Sequence, residues 1–162
     1  MAQETELSGG CQCGAVRYRL HAIPTEPSIC HCRMCQKAFG SFFAPLAGVA
    51  LDKFEVTRGA LSIFKSSDIV ERGFCRDCGT PLSFRYLAKN RISVSIGSLD
   101  EPDRVKPLGQ DGIEGRITYF DELASLPGDI STEDDEPELA ATVRRSNHQH
   151  PDHDTAEWPP RQ

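Results

Sequence analysis

The chain has 162 residues, of which 38% are hydrophobic and 26% are charged, and its net charge is −6. This length predicts one domain that buries a core of its own, and the composition is that of a soluble protein. The acidic balance disfavours a protein that tracks nucleic-acid phosphates, and no apolar run approaches the roughly 20 residues that a transmembrane helix needs.

The chain begins with an acidic stretch, residues 1–6, that lacks the apolar segment of a secretory signal, so we expect a cytoplasmic protein. Apolar and polar residues then alternate in short runs, a pattern typical of half-buried antiparallel strands. The predicted strands cover 16–20, 42–49, 53–57, 61–65, 70–74, 82–86 and 92–96. Helical periodicity is limited to a turn or two after Cys35, to 121–125 and to 137–145. The sequence therefore predicts a mainly β fold with few short helices.

The last 32 residues differ in charge from the rest of the chain. Residues 131–162 hold eight acidic residues against three arginines, and they contain few large apolar side chains. Such a segment cannot bury enough surface to offset the entropy lost on ordering. We therefore expect a folded domain over 1–130 and an acidic C-terminal appendage over 131–162 that is partly ordered at most, although Trp158 could dock onto the body.

Seven cysteines fall into three groups, at 11 and 13, at 30, 32 and 35, and at 75 and 78. In a reducing compartment, clustered thiols are more often metal ligands than disulfides, and an odd number cannot pair completely. Cys75-Arg76-Asp77-Cys78-Gly79 has the form of a zinc knuckle, in which the glycine allows the tight turn. A knuckle supplies two ligands, so tetrahedral zinc needs two more.

Counting divides the cysteines between two sites. Cys11 and Cys13 complete a closed, structural site with Cys75 and Cys78, whereas Cys30, Cys32 and Cys35 form a second site of three ligands. Three protein ligands and one open position are typical of a zinc site that binds substrate or water.

Two other interpretations of the cysteines remain open. Cys75 and Cys78 could be a redox pair, although no βαβ unit accompanies them. The second site could instead be closed by a histidine such as His21, whereas His31, between two ligands, is expected to point away. The tail histidines at 148, 150 and 153 receive no ligand role. Arginines at 33, 72, 76 and 85 could raise the local potential, but solvated strand and turn residues are the simpler interpretation for any one of them.

The motifs together resemble the glutathione-dependent formaldehyde-activating enzyme family, which includes centromere protein V-like members. The resemblance rests on four stretches, residues 9–18, 30–41, 73–82 and 97–100. Weaker similarity over 118–126 and 149–154 points to the subgroup called aldehyde-activating proteins. The resemblance implies a β-tent of packed antiparallel sheets. It also implies a structural zinc on Cys11, Cys13, Cys75 and Cys78, and a second zinc on Cys30, Cys32 and Cys35.

The resemblance further implies carbon–sulfur lyase chemistry, the reversible joining of formaldehyde and glutathione to S-(hydroxymethyl)glutathione. Three thiolates leave a zinc site anionic, so we expect it to bind a substrate thiolate rather than to activate a carbonyl strongly. Ser41 is a candidate hydroxyl beside that site. The expected partners are small thiols and aldehydes, with no membrane. One alternative is a non-catalytic, zinc-stabilised module that binds small thiols or a protein. The other, a nucleic-acid binder, is disfavoured because basic and aromatic residues form no common stripe.

Overall fold

The computed structural model describes residues 5–128 and 131–159, and ten short strands run through them. In chain order these are β1 (Leu7–Gly10), β2 (Arg17–Leu20), β3 (Ser28–Cys30), β4 (Ala44–Ala50), β5 (Phe54–Arg58), β6 (Ser62–Ser67), β7 (Val70–Phe74), β8 (Pro81–Tyr86), β9 (Arg91–Ser95) and β10 (Gly109–Asp111). The α-helices are α1 (Arg33–Phe39), α2 (Thr132–Asp135) and α3 (Pro137–Ser146). A mainly β fold with few short helices is therefore confirmed.

The strands form two sheets. The smaller has the order β1–β2–β5, and the larger has the order β10–β3–β4–β9–β8–β7–β6. Neighbouring strands are antiparallel, as the alternating pattern predicts, except that β10 runs parallel to β3. The sequence gives no sign of this pair because Gly109-Gln110-Asp111 has no alternating apolar residue and joins the sheet through its backbone alone.

The core lies where the two sheets pack face to face. The small sheet contributes Leu7, Tyr18 and Leu20, and the large sheet contributes buried residues of β4, β8 and β9. Tyr18 is 1% exposed, its ring contacts the Phe54 ring at 5.6 Å between centroids, and its hydroxyl lies 2.7 Å from Ser98 Oγ. The polar end of the tyrosine is thus hydrogen-bonded inside an apolar core, as burial of a hydroxyl requires.

Each predicted strand overlaps an observed one, whereas β1, β3 and β10 had not been predicted. β1 is rich in glycine because the chain approaches its neighbours closely there. A Cβ atom on Gly9 would lie 2.5 Å from the carbonyl oxygen of Ser98 and 2.6 Å from the Tyr18 ring. Among the described residues, no helix is both long and apolar enough to cross a bilayer.

The three predicted helical segments are also present. A helix follows the central cysteines as α1, a 3₁₀ helix covers Phe120–Ser125, and α3 covers the segment predicted at 137–145. The expected division near residue 130 falls at positions 129–130, which lie outside the described residues, as do 1–4 and 160–162. After α3, the chain returns to the body, where residues 147–159 lie against the turn between β1 and β2.

Candidate metal centres

Two turns bring four cysteines together. Cys11 and Cys13 lie in the turn between β1 and β2, and Cys75 and Cys78 lie in the turn between β7 and β8. Their four Sγ atoms all lie within 4.8 Å of one another, with 3.6 Å between Cys11 and Cys13. Cys11 and Cys75 are buried, and the other two are half-buried. A group of four sulfur atoms at this spacing could hold one tetrahedral metal ion.

Backbone geometry explains why each turn can present two thiols to one point. The Gly79 N–H donates to the Cys75 carbonyl at 2.9 Å, and the Gly14 N–H donates to the Cys11 carbonyl at 3.0 Å. Both glycines have positive φ angles, 78° at Gly79 and 80° at Gly14, where a side chain would be strained. The expectation that Gly79 makes the tight turn is therefore confirmed.

The thiols of this cluster differ strongly in acidity. Burial raises the pKa of Cys13 to about 12, and the neighbouring thiols add to this rise. Burial also opposes ionisation of Cys78, but hydrogen bonds from Thr80 and the backbone outweigh it and lower its pKa to about 6. The Thr80 hydroxyl lies 3.1 Å from Cys78 Sγ. Crowded thiolates repel one another, so a bound cation is what would let all four ionise together.

The C-terminal segment covers this cluster from the outside. The backbone N–H of His150 donates to the Gln12 carbonyl at 2.7 Å, and the Trp158 indole N–H donates to the Cys13 carbonyl at 2.7 Å. The imidazole of His150 lies on Gly14, where an added Cβ would come within 2.2 Å of the ring. Two carbonyl groups of the turn that carries Cys11 and Cys13 are thus satisfied by residues 138 and 145 positions away in sequence.

The other three cysteines meet at the beginning of α1. Cys30 ends β3, Cys32 caps the helix by accepting a hydrogen bond from the Cys35 N–H at 3.4 Å, and Cys35 is buried in the first turn. Their Sγ atoms lie within 4.8 Å of one another. Burial opposes ionisation of Cys32, but the backbone N–H groups of the helix outweigh it and lower its pKa, whereas burial raises the pKa of Cys30 to about 12.

The loop that carries these cysteines is held from both sides. The Gln36 side chain donates to the His31 carbonyl and to the Gly115 carbonyl, both at 2.8 Å. The backbone at Gly112 lies so close that a Cβ there would approach the Cys32 nitrogen to 2.9 Å. The loop geometry is therefore set by the segment after β10, which the cysteine motif itself does not contain.

Arg72 is the charged residue that contacts the three-cysteine cluster. It is 6% exposed, its Nη2 donates to Cys35 Sγ at 3.4 Å, and its Nε donates to Ser66 Oγ at 3.1 Å. Its guanidinium carbon lies 4.9 Å from the centre of the Phe84 ring. The sequence placed Arg72 among four arginines near cysteines, but only register and packing reveal the contact. One cation next to three thiolates offsets the net negative charge that a divalent metal would leave there.

The remaining predicted candidates lie elsewhere. Both ring nitrogens of His21 are paired with carboxylates, Glu6 at 2.7 Å and Glu55 at 2.8 Å, so His21 does not complete the second cluster. His31 is fully buried against Phe43 and Phe120 and points to Gln110, away from the sulfur atoms. Ser41 is exposed beyond the helix end.

Of the other arginines near the cysteines, Arg33 bonds Gln36, Arg76 is 80% exposed and Arg85 is half-buried in β8. Among the tail histidines, His150 is buried and hydrogen-bonded, whereas His148 and His153 are exposed. The described part of the tail thus brings no histidine to a metal cluster.

A cavity of about 480 Å³, here called the Arg72 cavity, lies between α1 and the β6–β7 edge of the large sheet. Its wall includes Met34, Lys37, Phe64, Ser66 and Arg72. Arg72 therefore faces this cavity while it also contacts Cys35. Aromatic and aliphatic walls with a few polar groups are typical of small-molecule sites.

Comparisons with known proteins agree with this geometry. A family described as glutathione-dependent formaldehyde-activating enzyme matches residues 6–111, a range that includes all seven cysteines. An uncharacterized lyase of Schizosaccharomyces pombe is 38% identical over 84 residues, which cover 50% of this chain and 58% of that protein. The crystal structure of a Rhodobacter sphaeroides protein is similar in fold, with a TM-score of 0.50 and 23% identity, over 64% of this chain and 98% of that one.

Proposed function

The chain belongs to the glutathione-dependent formaldehyde-activating enzyme family, and on that premise we propose that it is a zinc-dependent carbon–sulfur lyase that acts on thiol–aldehyde adducts. S-(Hydroxymethyl)glutathione is the first substrate to test. The observation that carries the proposal is the three-cysteine cluster at α1, which offers one ligand fewer than a closed tetrahedral site and lies beside a buried guanidinium.

The two clusters receive different roles in this proposal. Cys11, Cys13, Cys75 and Cys78 would hold a structural zinc, and Cys30, Cys32 and Cys35 would hold the second. A zinc ion on the second cluster would supply an open position that holds a substrate sulfur and lowers the pKa of its thiol. The chain's own contribution is to fix three thiolates through β3, the helix cap and the Gln36 bridge, and to balance their charge with Arg72.

The proposed reaction needs neither an oxidant nor a reductant in either direction. In the synthetic direction, the sulfur attacks the aldehyde carbon, the C–S bond forms and the former carbonyl oxygen takes up a proton. In the lyase direction, the hydroxyl loses that proton, the C–S bond breaks and the sulfur leaves as a thiolate. A cytoplasmic location follows from the same proposal, since seven unpaired thiols are stable in a reducing compartment.

The test is exchange NMR on formaldehyde mixed with glutathione, with wild-type protein compared with Cys32→Ser. Serine preserves the helix cap because its hydroxyl also accepts the N–H bond, so α1 should persist while one metal ligand is lost. We expect wild type to accelerate adduct exchange and the variant to fall to the rate in buffer. Arg145→Gln, at an exposed position of α3 and in neither cysteine motif, is the matched control and should keep wild-type exchange.

A zinc count accompanies the exchange measurement. Two zinc ions per chain in wild type and one in Cys32→Ser are expected if the clusters have separate roles. If wild type holds two zinc ions and accelerates no exchange, glutathione and formaldehyde are the wrong pair. Binding of small thiols or of a protein partner without turnover would then be the function to examine.

A further inference from the structure

Arg72 has one nitrogen that the fold leaves without a partner. Its Nε donates to Ser66 and its Nη2 to Cys35, whereas its Nη1 is closed to solvent and has no hydrogen-bond partner among the described residues. A buried N–H group without an acceptor costs free energy, and the cost is larger for a charged group. Such a group in a folded protein calls for an explanation, and a ligand that it binds is one.

The guanidinium is held rigidly around this nitrogen. The Phe84 ring lies under its plane at 4.9 Å, while Ser66 and Cys35 fix two of its corners. A group that is fixed in advance loses little entropy when an anion binds it. Guanidinium groups bind carboxylates especially well because their N–H donors are arranged as a planar fork.

The Arg72 cavity has the charge of an anion site. Lys37 lies on its rim, on the α1 face that also presents Met34 and Ala38, and no residue of the described chain that lines the cavity carries a carboxylate. This is unusual in a chain with a net charge of −6. Most of the remaining lining residues are apolar, with Phe39, Phe64 and Phe74 among them. The cavity therefore suits a small molecule with a carbon skeleton and a negative charge.

We propose that Arg72 is a specificity-determining residue that binds the carboxylate of the thiol substrate, and that the preferred thiols carry a carboxylate a few bonds from the sulfur. This inference rests on the proposed function, because it takes the three-cysteine cluster as the place where the substrate sulfur binds. The two Nη atoms share one carbon and one contacts Cys35, so a carboxylate on Nη1 lies close to that cluster. Because Nη1 is closed to solvent, binding requires a wall residue to move, and we assign that movement to Met34, which lines the cavity, is unbranched and is 49% exposed.

The experiment uses two thiols with the same carbon chain, 3-mercaptopropionate and its methyl ester, in which one added methyl group removes the negative charge. Each is titrated into ¹⁵N-labelled, zinc-replete protein, and the dissociation constant is read from shifts of amide resonances. Gly73 and Gly79 line the cavity, so their amide signals report the location of binding. We expect the acid to bind roughly 10- to 100-fold more tightly than the ester, the value for one charge-assisted hydrogen bond.

Two substitutions in the cavity and one outside it complete the design. Arg72→Gln should abolish the preference for the acid, and Lys37→Gln, at an exposed position where folding is not at risk, should reduce it. Arg145→Gln, a matched loss of one exposed arginine in α3 and outside the cavity, should retain the preference in full. Equal binding of acid and ester to wild type would overturn the inference, as would an acid preference that survives Arg72→Gln.

Failure of the proposed function gives a different result. In that case, neither glutathione nor 3-mercaptopropionate would exchange faster with formaldehyde in the presence of the protein, yet the acid would still bind more tightly than the ester. Conversely, accelerated exchange together with equal binding would keep the lyase and remove the role of Arg72.

Discussion

Arg17 is buried between carboxylates from two distant parts of the chain. It is 3% exposed, its Nη1 donates to Asp100 Oδ1 at 2.8 Å, and its Nε donates to Asp154 Oδ1 at 3.1 Å. Asp100 is itself almost fully buried and also accepts a hydrogen bond from the Ser8 hydroxyl. The contact joins β2 to the segment after β9 and to the tail.

Replacing Arg17 should therefore cost far more than replacing its neighbour on the same strand. Arg17→Leu leaves the Asp100 carboxylate buried without its cation, and we expect a loss of about 3–5 kcal/mol in the free energy of unfolding. Arg19 bonds the same Asp154 but is 39% exposed, so Arg19→Leu should cost under about 1 kcal/mol. Urea denaturation of the zinc-replete variants measures both values, and similar losses would refute the argument.

At the residue scale, the sequence predicted the cysteine groups whose members lie within a few positions of one another. The groups formed by Cys75 and Cys78, and by Cys30, Cys32 and Cys35, are local, and counting then assigned Cys11 and Cys13. The contact between Arg72 and Cys35 joins residues 37 positions apart and depends on how α1 lies on β7. Such a contact has no signature in the spacing of either residue.

The tail is the element whose attachment is sensitive to pH. His150 is 4% exposed, its Nδ1 lies 2.7 Å from the Pro151 carbonyl and its Nε2 lies 3.3 Å from Arg58 Nη1. Nδ1 therefore carries the proton and Nε2 accepts from Arg58. Burial, together with the cations of Arg17 and Arg58, lowers the pKa of His150, although the Pro151 carbonyl opposes this.

Acid should loosen the tail before it unfolds the body. Because the docked His150 has a lowered pKa, the undocked tail binds more protons, so docking is complete above the ordinary value of 6.5 and weakens as the pH falls below it. Trp158 is the chain's single tryptophan and is hydrogen-bonded to Cys13, so its fluorescence reports docking. We expect its emission to change as the pH falls below about 6.5, the ordinary pKa of histidine.

Two histidine variants test whether protonation of His150 causes the fluorescence change. His150→Gln should lack the transition, whereas His153→Gln, at an exposed position, should retain it. Asp154 titrates in another range, since hydrogen bonds from Arg17 and Arg19 outweigh burial and hold its pKa below the ordinary 3.8. A fluorescence transition that persists in His150→Gln would show that another group controls the tail.

Strands were predictable where their own residues alternate between apolar and polar. β2, β8 and β9 alternate clearly and were predicted, whereas β1 and β10 contain glycine and polar residues and form through pairing with neighbours. The acidic composition of residues 131–162 predicts an appendage that is partly ordered at most, and composition alone cannot reveal individual hydrogen bonds to the body. His150, Asp154 and Trp158 supply such bonds, and their partners lie more than 130 positions away.

For the whole molecule, the four-cysteine cluster is expected to decide whether the chain folds. It joins β1 and β2 of the small sheet to β7 and β8 of the large one, and its ligands are separated by as many as 67 positions. Zinc binding to such a set contributes about 10–16 kcal/mol, which matches or exceeds the net stability of a typical domain. With zinc bound, the cluster would join the two sheets that enclose the core.

Loss of one ligand should consequently have different effects at the two clusters. Cys78→Ser should be largely unfolded in the far-ultraviolet circular dichroism and proton NMR spectra, because the site that joins the sheets is broken. Cys32→Ser should remain folded and lose only the second zinc. A soluble Cys78→Ser protein that retains two zinc ions would contradict this division of roles.

The mainly β class followed from alternation, and the packing of antiparallel sheets followed from the family resemblance. How the sheets are joined at their ends depends on tertiary contacts. The three-residue interval from Arg72 to Cys75 is an example, since it links the guanidinium beside one cluster to a cysteine of the other cluster just after β7. The interval can be counted in the sequence, but only the fold shows that its two ends lie at different cysteine clusters.

Because the tail docks on the body, the end of the family match differs from the end of the packed structure. The family match ends at residue 111, and the Rhodobacter sphaeroides protein aligns over nearly all its own length with 64% of this chain. Yet the donors that cover the Gln12 and Cys13 carbonyls are His150 and Trp158. The segment that matches the family is therefore shorter than the segment whose residues contact one another in the described structure. A variant that ends at residue 111 would expose the Gln12 and Cys13 carbonyls, which His150 and Trp158 cover in this structure.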